Sequence, residues 1–407
     1  MPESERMESL ISILHKRRSV RKYDREPIDE AAVRNAALTA AGAPAFKTGP
    51  GWDMKFYIDP EAKKEVQRAA TSGLRGKSNP WLASEDIPGL VCLTGAPAAA
   101  PVKGDRQYYI AEAAFAFEYF MLAARELGLG TCWTGAFDDK RLAAAIELEK
   151  GRRIVAISPI GKPFNRTPPP IDFSGHYDNY TRQFMHRNRK PIDEIAFSEI
   201  FDRKPDWDLA LDHDVLKESE SGKLRTGTMI PSLLKSMQFP KTFANKNIET
   251  SKLNWIIEAA RLAPSASNIQ PWRFVIIRAK DKLWRLEDCA HNQNGLQIPF
   301  PEASTVIVAL ADQLVTQTRG QDQPYFMFDI PIAISHMMIT ANDLGIACNL
   351  VLNFHENRIR KLVRAPIRTR VVALLALGYP CRNGTDGDFP DDVQRHEIEK
   401  NKNISII

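Results

Sequence analysis

Apolar and polar positions along the chain fall into the same succession of elements twice. Near residue 30 and again near residue 250 the apolar positions recur at helical spacing. They predict helices over 29–41 and 250–262, with Asp29 or Thr250 as a cap near the start. After an Ala-Pro turn each helix is followed by a short strand, MKFYI at 54–58 and RFVII at 273–277. A second strand follows in each case, LVCLTG at 90–95 and TVIVALA at 305–311. Long apolar helices are predicted over 110–127 and 330–344, each stopped by the glycine of LGLG or LGIA. A last apolar strand runs into G-K-P at 161–163 or G-Y-P at 378–380. Helices and strands alternate, but the short, half-alternating strands leave open whether the sheet is parallel.

The succession is a repeat in register. A shift of 220 sets Ala40-Ala41-Gly42-Ala43-Pro44 on Ala260-Arg261-Leu262-Ala263-Pro264 and, without a gap, Tyr23 on Phe243, Ile28 on Ile248 and Trp52 on Trp272. Further along, RRIVAISPIGKP (152–163) matches TRVVALLALGYP (369–380) at a shift of 217, which also pairs Glu112 with Asp329 and Gly128 with Gly345. Two shifts this close over so long a stretch point to one ancestral unit used twice. The expected organisation is therefore a first domain at 1–190, a charged crossing segment at 191–232 and a second domain at 233–407.

Composition narrows the class without naming a function. At 407 residues, 43% hydrophobic and 26% charged, the chain suits two globular domains, each able to bury a core. The net charge of +5 is spread along the sequence, which permits a phosphate-bearing ligand and does not call for nucleic acid. No run approaches the roughly 18 apolar residues a membrane helix needs, and the first residues lack a secretory pattern. Cys92, Cys132, Cys289, Cys348 and Cys381 are odd in number and scattered, as expected for reduced thiols in a cytoplasm.

Three stretches carry candidate chemistry. Arg17-Arg18-Ser19-Val20-Arg21 is either a solvated basic helix end or an anion clamp, in which guanidinium forks and the Ser19 hydroxyl bind phosphate oxygens. The run Ala263-Pro264-Ser265-Ala266-Ser267-Asn268-Ile269-Gln270-Pro271-Trp272 is a Ser/Pro turn, or a rigid array of short polar groups suited to a planar, heteroatom-rich ligand. Arg187-Asn188-Arg189-Lys190-Pro191, taken alone, reads as a solvated basic turn. Gly76-Lys77-Ser78 is not a P-loop, because Thr71 stands where the first glycine belongs and no strand precedes it. Gly128-x-Gly130 reads as a helix stop. The eight histidines show no ligand spacing, so no metal site and no Ser-His-Asp hydrolase is expected.

Together, RRSVR (17–21), LAARELGLGTCWTG (122–135), RNRKP (187–191) and APSASNIQPW (263–272) resemble the signature of the nitroreductase / NAD(P)H:flavin oxidoreductase family. The resemblance covers roughly 10–200 and 233–385. It implies an α+β fold in each copy, a central mixed and mostly antiparallel sheet flanked by helices. It also implies FMN at the interface of two such domains, with NADH or NADPH as reductant. Residue by residue, it assigns the phosphate clamp to Arg17, Arg18, Ser19 and Arg21 and the closing basic pair to Arg187 and Arg189. The flavin loop falls to Pro264, Ser265, Ala266 and Asn268. Arg21 is implied beside the flavin N1–C2=O edge, and the backbone amides of Thr134 and Gly135 opposite N5.

The two copies are not equivalent under this rule. The first has the clamp but reads Pro44-Ala45-Phe46-Lys47-Thr48 where the loop should be. The second has the loop but reads Met237-Gln238-Phe239-Pro240-Lys241 at the clamp, with Lys241 as its one remaining basic residue. The expectation is an intramolecular pseudo-dimer, able to stay a monomer, with one complete FMN site and one vestigial site. The implied activity is hydride transfer from NAD(P)H through flavin N5 to a small electron-poor acceptor: a nitro compound, a quinone or a flavin. The rivals are a specialised flavin-dependent oxidase or dehydrogenase of a biosynthetic intermediate, and a non-catalytic flavin-binding protein.

Overall fold

The computed structural model describes residues 9–44, 51–99, 102–103, 106–164, 188–224, 227–240, 242–290, 300–313, 318–319, 323–381 and 404–407. The apolar runs of the first copy form β1 (Trp52–Tyr57), β2 (Gly89–Gly95), β3 (Gly130–Thr131) and β4 (Arg153–Gly161). Those that follow form β5 (Ala196–Ser198), β6 (Trp272–Ile277), β7 (Thr305–Asp312), β8 (Ala347–Val351), β9 (Thr369–Gly378) and β10 (Ile404–Ile406). They assemble into two five-stranded sheets, ordered β10-β1-β2-β4-β3 and β8-β9-β7-β6-β5. Neighbours are antiparallel except at one edge of each sheet, where β10 runs parallel to β1 and β5 parallel to β6. Each copy thus forms the mixed, mostly antiparallel sheet that the resemblance implies.

The parallel edge strands cross the repeat boundary in the sequence. Residues 196–198, which follow the first copy, extend the sheet of the second. Residues 404–406, which follow the second copy, extend the sheet of the first. By compactness the chain divides accordingly, into Met1–His15 with Asn188–Val393 and Lys16–Arg187 with Gln394–Ile407.

The helices follow the apolar pattern closely. An N-terminal helix, α1 (Leu10–Lys16), precedes the first copy's α2 (Glu30–Leu38) and α3 (Tyr108–Glu126) and the second copy's α4 (Thr250–Leu262) and α5 (Phe326–Asp343). Asp29 caps α2 as expected, its carboxylate accepting the Ala31 N–H at 2.9 Å. Thr250 is the first residue of α4 rather than its cap. Glu249 takes the cap position without a side-chain bond to the helix's N–H groups, its carboxylate accepting instead from the Tyr379 hydroxyl. The long helices α3 and α5 are apolar on nearly every side and are buried nearly all round. Both stop at a glycine in the left-handed region, Gly128 at φ 78° and Gly345 at φ 72°.

Equivalent backbone contacts recur at the two sequence shifts. Tyr23 bridges Pro163 in one copy, and Phe243 bridges Pro380 in the other. The Asp24 N–H donates to the Lys162 carbonyl at 3.0 Å, and the Ala244 N–H donates to that of Tyr379 at 2.8 Å. Each sheet also has its own apolar core. In the first copy Leu90, Cys92 and Ile157 meet Val66, Phe137 and Leu142, and in the second Val275, Val308 and Leu374 meet Leu283, Leu286 and Ile359.

The charged stretch between the copies is pinned by its polar groups. The Trp207 indole N–H donates to Asn254 Oδ1 of α4 at 3.1 Å, and Asn254 Nδ2 donates back to the carbonyls of Asp208 and Ala210. Further on, the Trp255 indole donates to the Asp212 carbonyl at 2.7 Å. Ser221 donates its backbone N–H and its hydroxyl to the buried Asp343 carboxylate at the end of α5. Among the described residues, no helix is long and apolar enough to cross a membrane.

Candidate functional site

The clamp segment of the first copy leaves α1 in extended form and lies along β3. Ser19 bridges Thr131, and the Val20 N–H donates to the Thr131 carbonyl at 2.9 Å. This register turns Arg17 inward. Its guanidinium is buried, and its Nε has no hydrogen-bond partner among the described residues. Burial pushes the Arg17 pKa down, and the nearby Glu118 and Cys132 oppose that shift. Arg18 is half-buried, donates Nη1 to the Arg17 carbonyl at 2.9 Å, and is also pushed down, by desolvation and then by the like charges of Arg17 and Arg125. Arg21 lies with its guanidinium carbon 5.6 Å from the centroid of the Trp81 ring, within cation–π range. Arg17, Arg18, Ser19 and Arg21 are thus brought together on one short segment. A desolvated guanidinium with an unused N–H fits an anionic oxygen ligand such as a phosphate.

Thr134 and Gly135 separate in role. The Thr134 N–H is used within the sheet, donating to the Ile157 carbonyl at 2.9 Å, and its hydroxyl donates to the Cys132 carbonyl at 3.2 Å. The sheet bond occupies the Thr134 amide, the group the resemblance sets opposite the flavin. Gly135 is half-buried, and its N–H has no protein partner among the described residues. Next to it, the Ala136 carbonyl accepts Asn79 Nδ2 at 2.9 Å, which ties the 72–84 stretch bearing Trp81 to this end of the sheet.

The loop of the second copy, between α4 and β6, is unusually constrained. Ser267, Asn268 and Gln270 adopt φ of 51°, 58° and 53°, the left-handed region that non-glycine residues rarely occupy. Four groups hold the backbone there. Ser265 Oγ accepts the Gln270 N–H at 2.9 Å, and Asp329 of α5 accepts the Ala266 N–H at 2.9 Å. Arg189 Nη1 donates to Asn268 Oδ1 at 2.6 Å, and the Lys190 N–H donates to Gln270 Oε1 at 2.8 Å. The Ala266 amide is thus taken by Asp329. Pro264 and Ser265 flank the loop, half-buried.

Arg189 stands on this loop. Its second terminal nitrogen donates to the carbonyl of Leu262, the last residue of α4, at 2.9 Å. Arg187, Lys241 and residues 45–48 lie outside the described residues.

Asp329 was reached in the sequence only as a repeat partner of Glu112. In the structure it is a buried carboxyl whose pKa burial raises to about 7, the bond from Ala266 working against that rise. Glu118 and Trp81 were not singled out at all, since a glutamate and a tryptophan within apolar patterning give no chemical signal. No group of three or more His, Cys, Asp or Glu side chains able to hold a metal occurs among the described residues.

The nitroreductase family profile matches residues 14–162, 240–297 and 290–379, and so falls on both copies. A protein of Archaeoglobus fulgidus, carrying the name NADH dehydrogenase/NAD(P)H nitroreductase, is 30% identical over 146 residues, 34% of this chain and 79% of that protein. An NADH dehydrogenase of Thermus thermophilus is 26% identical over 162 residues, 32% of this chain and 77% of that protein. Among solved structures, an FMN-dependent nitroreductase of Clostridium difficile R20291 is 22% identical with a TM-score of 0.34, covering 41% of this chain and 95% of that one. With the profile matching each copy in turn, this chain belongs to the nitroreductase family of oxidoreductases.

Proposed function

We propose that the chain binds one FMN, using the clamp of the first copy and the loop of the second, and reduces a small electron-poor organic acceptor at the expense of NADH or NADPH. A nitro compound, a quinone or a free flavin is the acceptor class this reading favours. The observation that carries it is the state of Arg17, buried and desolvated with an unused Nε–H in a segment that also gathers Arg18, Ser19 and Arg21. Such a group stabilises an anion far more than an exposed arginine does, because little water competes for it. The second copy has no described charge at the equivalent place, since Met237 replaces Arg17 there.

FMN, when bound, supplies the hydride relay; the protein supplies placement and electrostatics. Arg17, Arg18 and Ser19 would hold the phosphate. Arg21, stacked on Trp81, keeps a positive charge on the same segment, where it favours negative charge arising on a reduced ring. The Gly135 N–H is the remaining backbone donor of the WTG stretch. Pro264, Ser265 and Asn268 bring the stiff loop that seats the ring. The reading has 1–190 and 233–407 acting as an intramolecular pseudo-dimer joined through 191–232. The edge strands β5 and β10 support it, because the second copy's sheet is completed by residues from 191–232 and the first copy's by residues 404–406.

Flavin content tests the reading directly. The purified protein should be yellow, hold close to one FMN per chain, and bleach when NADH or NADPH is added without oxygen. A colourless protein that takes up no added FMN would overturn it. Two FMN per chain would overturn the one-site arrangement alone.

A further inference from the structure

We infer that Arg189 is a positioning residue, which sets the flavin loop through Asn268, and is not a phosphate ligand. The inference rests on the FMN reading above and deepens it. Three of the four residues 267–270 hold positive φ without being glycine, a conformation that persists only where surrounding contacts over-determine it. The contacts come from the residues that follow the first copy. Arg189 bridges the Leu262 carbonyl at the end of α4 and the Asn268 side chain, 2.9 and 2.6 Å away. Asn188 accepts Asn268 Nδ2 at 3.0 Å and Gln270 Nε2 at 3.1 Å through its carbonyl. Lys190 closes the set, with its N–H on Gln270 Oε1 and its Nζ on the Gln270 carbonyl, both at 2.8 Å.

The planar fork of Arg189 is what makes the bridge specific. Two of its N–H groups meet two acceptors fixed by separate elements, so the guanidinium locks the spacing between the helix end and the loop. The Leu262 carbonyl belongs to the last turn of α4, where a cation is also favoured by the helix dipole. The side chain of Asn268 is correspondingly turned toward residues 188–189. Its part in seating a ring would be to hold the loop in shape. Residues numbered with one copy therefore preorganise the ligand surface of the other, which lowers the ordering cost that binding would otherwise carry.

The test compares FMN with riboflavin, which lacks the phosphate. Both would be titrated into the full-length wild type, Arg189→Ala, Asn268→Ala and the double variant, after flavin removal. Amide hydrogen exchange across 265–270 would be followed on the flavin-free proteins. The expected result is that Arg189→Ala weakens FMN and riboflavin alike, by about tenfold or more, and that the double variant binds no more weakly than Asn268→Ala. Exchange of the loop amides should also quicken without flavin. Arg189→Lys keeps the charge but lacks the planar fork that spans the two acceptors, so it should fall between wild type and Arg189→Ala; it also serves if the alanine variant does not fold. Weakened FMN binding with riboflavin spared would make Arg189 a phosphate ligand and overturn the inference. Additive losses in the double variant, or unchanged loop exchange, would overturn it too. If the wild type binds neither flavin, the FMN reading fails, and the exchange measurement alone decides the positioning role.

Discussion

Arg17 and Met237 stand at equivalent places in the two copies, and in each the backbone beside them bonds to the strand that follows the long helix, with donor and acceptor exchanged because Pro240, at the place of Val20, has no N–H. In the first copy the Val20 N–H reaches the Thr131 carbonyl at 2.9 Å; in the second the Cys348 N–H reaches the Gln238 carbonyl at 3.3 Å. The side chains differ in kind. Arg17 is buried with the charge of Glu118 nearby, whereas the positions equivalent to these two hold Met237 and Ser335, both buried and uncharged. The second copy thus keeps the extended path of a clamp and has lost its charge. The difference shows that the fold asks for the backbone register here and not for the arginine. The arginine instead carries a desolvation cost, which the nearby Glu118 opposes.

That contrast can be broken from either side. The largest effect is expected from Met237→Arg, which would bury a guanidinium with Ser335, not a carboxylate, at the equivalent position. A loss of about 3–5 kcal/mol in denaturant unfolding is expected, and an unchanged midpoint would show that the second copy still accommodates a clamp. Next comes Arg17→Met, which makes the first copy like the second. It should lower FMN affinity by about a hundredfold in an equilibrium titration, the loss of charge-assisted bonds in a desolvated site.

A smaller effect concerns Asp329. Its pKa of about 7 exceeds the ordinary aspartate value of 3.8, so the unfolded chain releases this proton first as the pH rises. Stability is then lost progressively from about pH 4 to pH 7 and stays reduced above. Asp329→Asn keeps an acceptor for the Ala266 N–H and removes the titration. Its advantage over wild type should grow by roughly 1–2 kcal/mol between about pH 5 and pH 8, read as a difference in thermal midpoints. Last, Gly128→Ala and Gly345→Ala should each cost about 1 kcal/mol and should match each other closely, because both residues sit at positive φ with open space around the added Cβ. Unequal losses would mean that the copies differ in backbone as well as in charge.

The regular elements were legible because they rest on local pattern. The strands at 89–95 and 305–312 and the long helices α3 and α5 are apolar enough to be read without their neighbours, and the two shifts then align Tyr23 with Phe243 and Gly128 with Gly345. The clamp and the loop were legible as motifs. What they do was less so, because it depends on partners distant in sequence. Nothing in RNRKP says that Arg189 will meet Asn268, and nothing in WTG says that the Thr134 amide will be consumed by Ile157. The edge strands AFS and ISI escaped for a similar reason. Three residues carry too little periodicity to be read as a strand, and only the sheet they join makes them one.

Those two short strands also set an order of events during synthesis. The second sheet finds β5 already made when β6 leaves the ribosome, so it can close as soon as β9 and β8 are in place. The first sheet must wait for residues 404–406 to arrive from the far end of the chain, although its other four strands are complete by residue 161. Until then the outer edge of β1 carries unpaired backbone groups, the kind of surface on which nascent chains associate wrongly. The half translated first is therefore the half whose sheet is completed last.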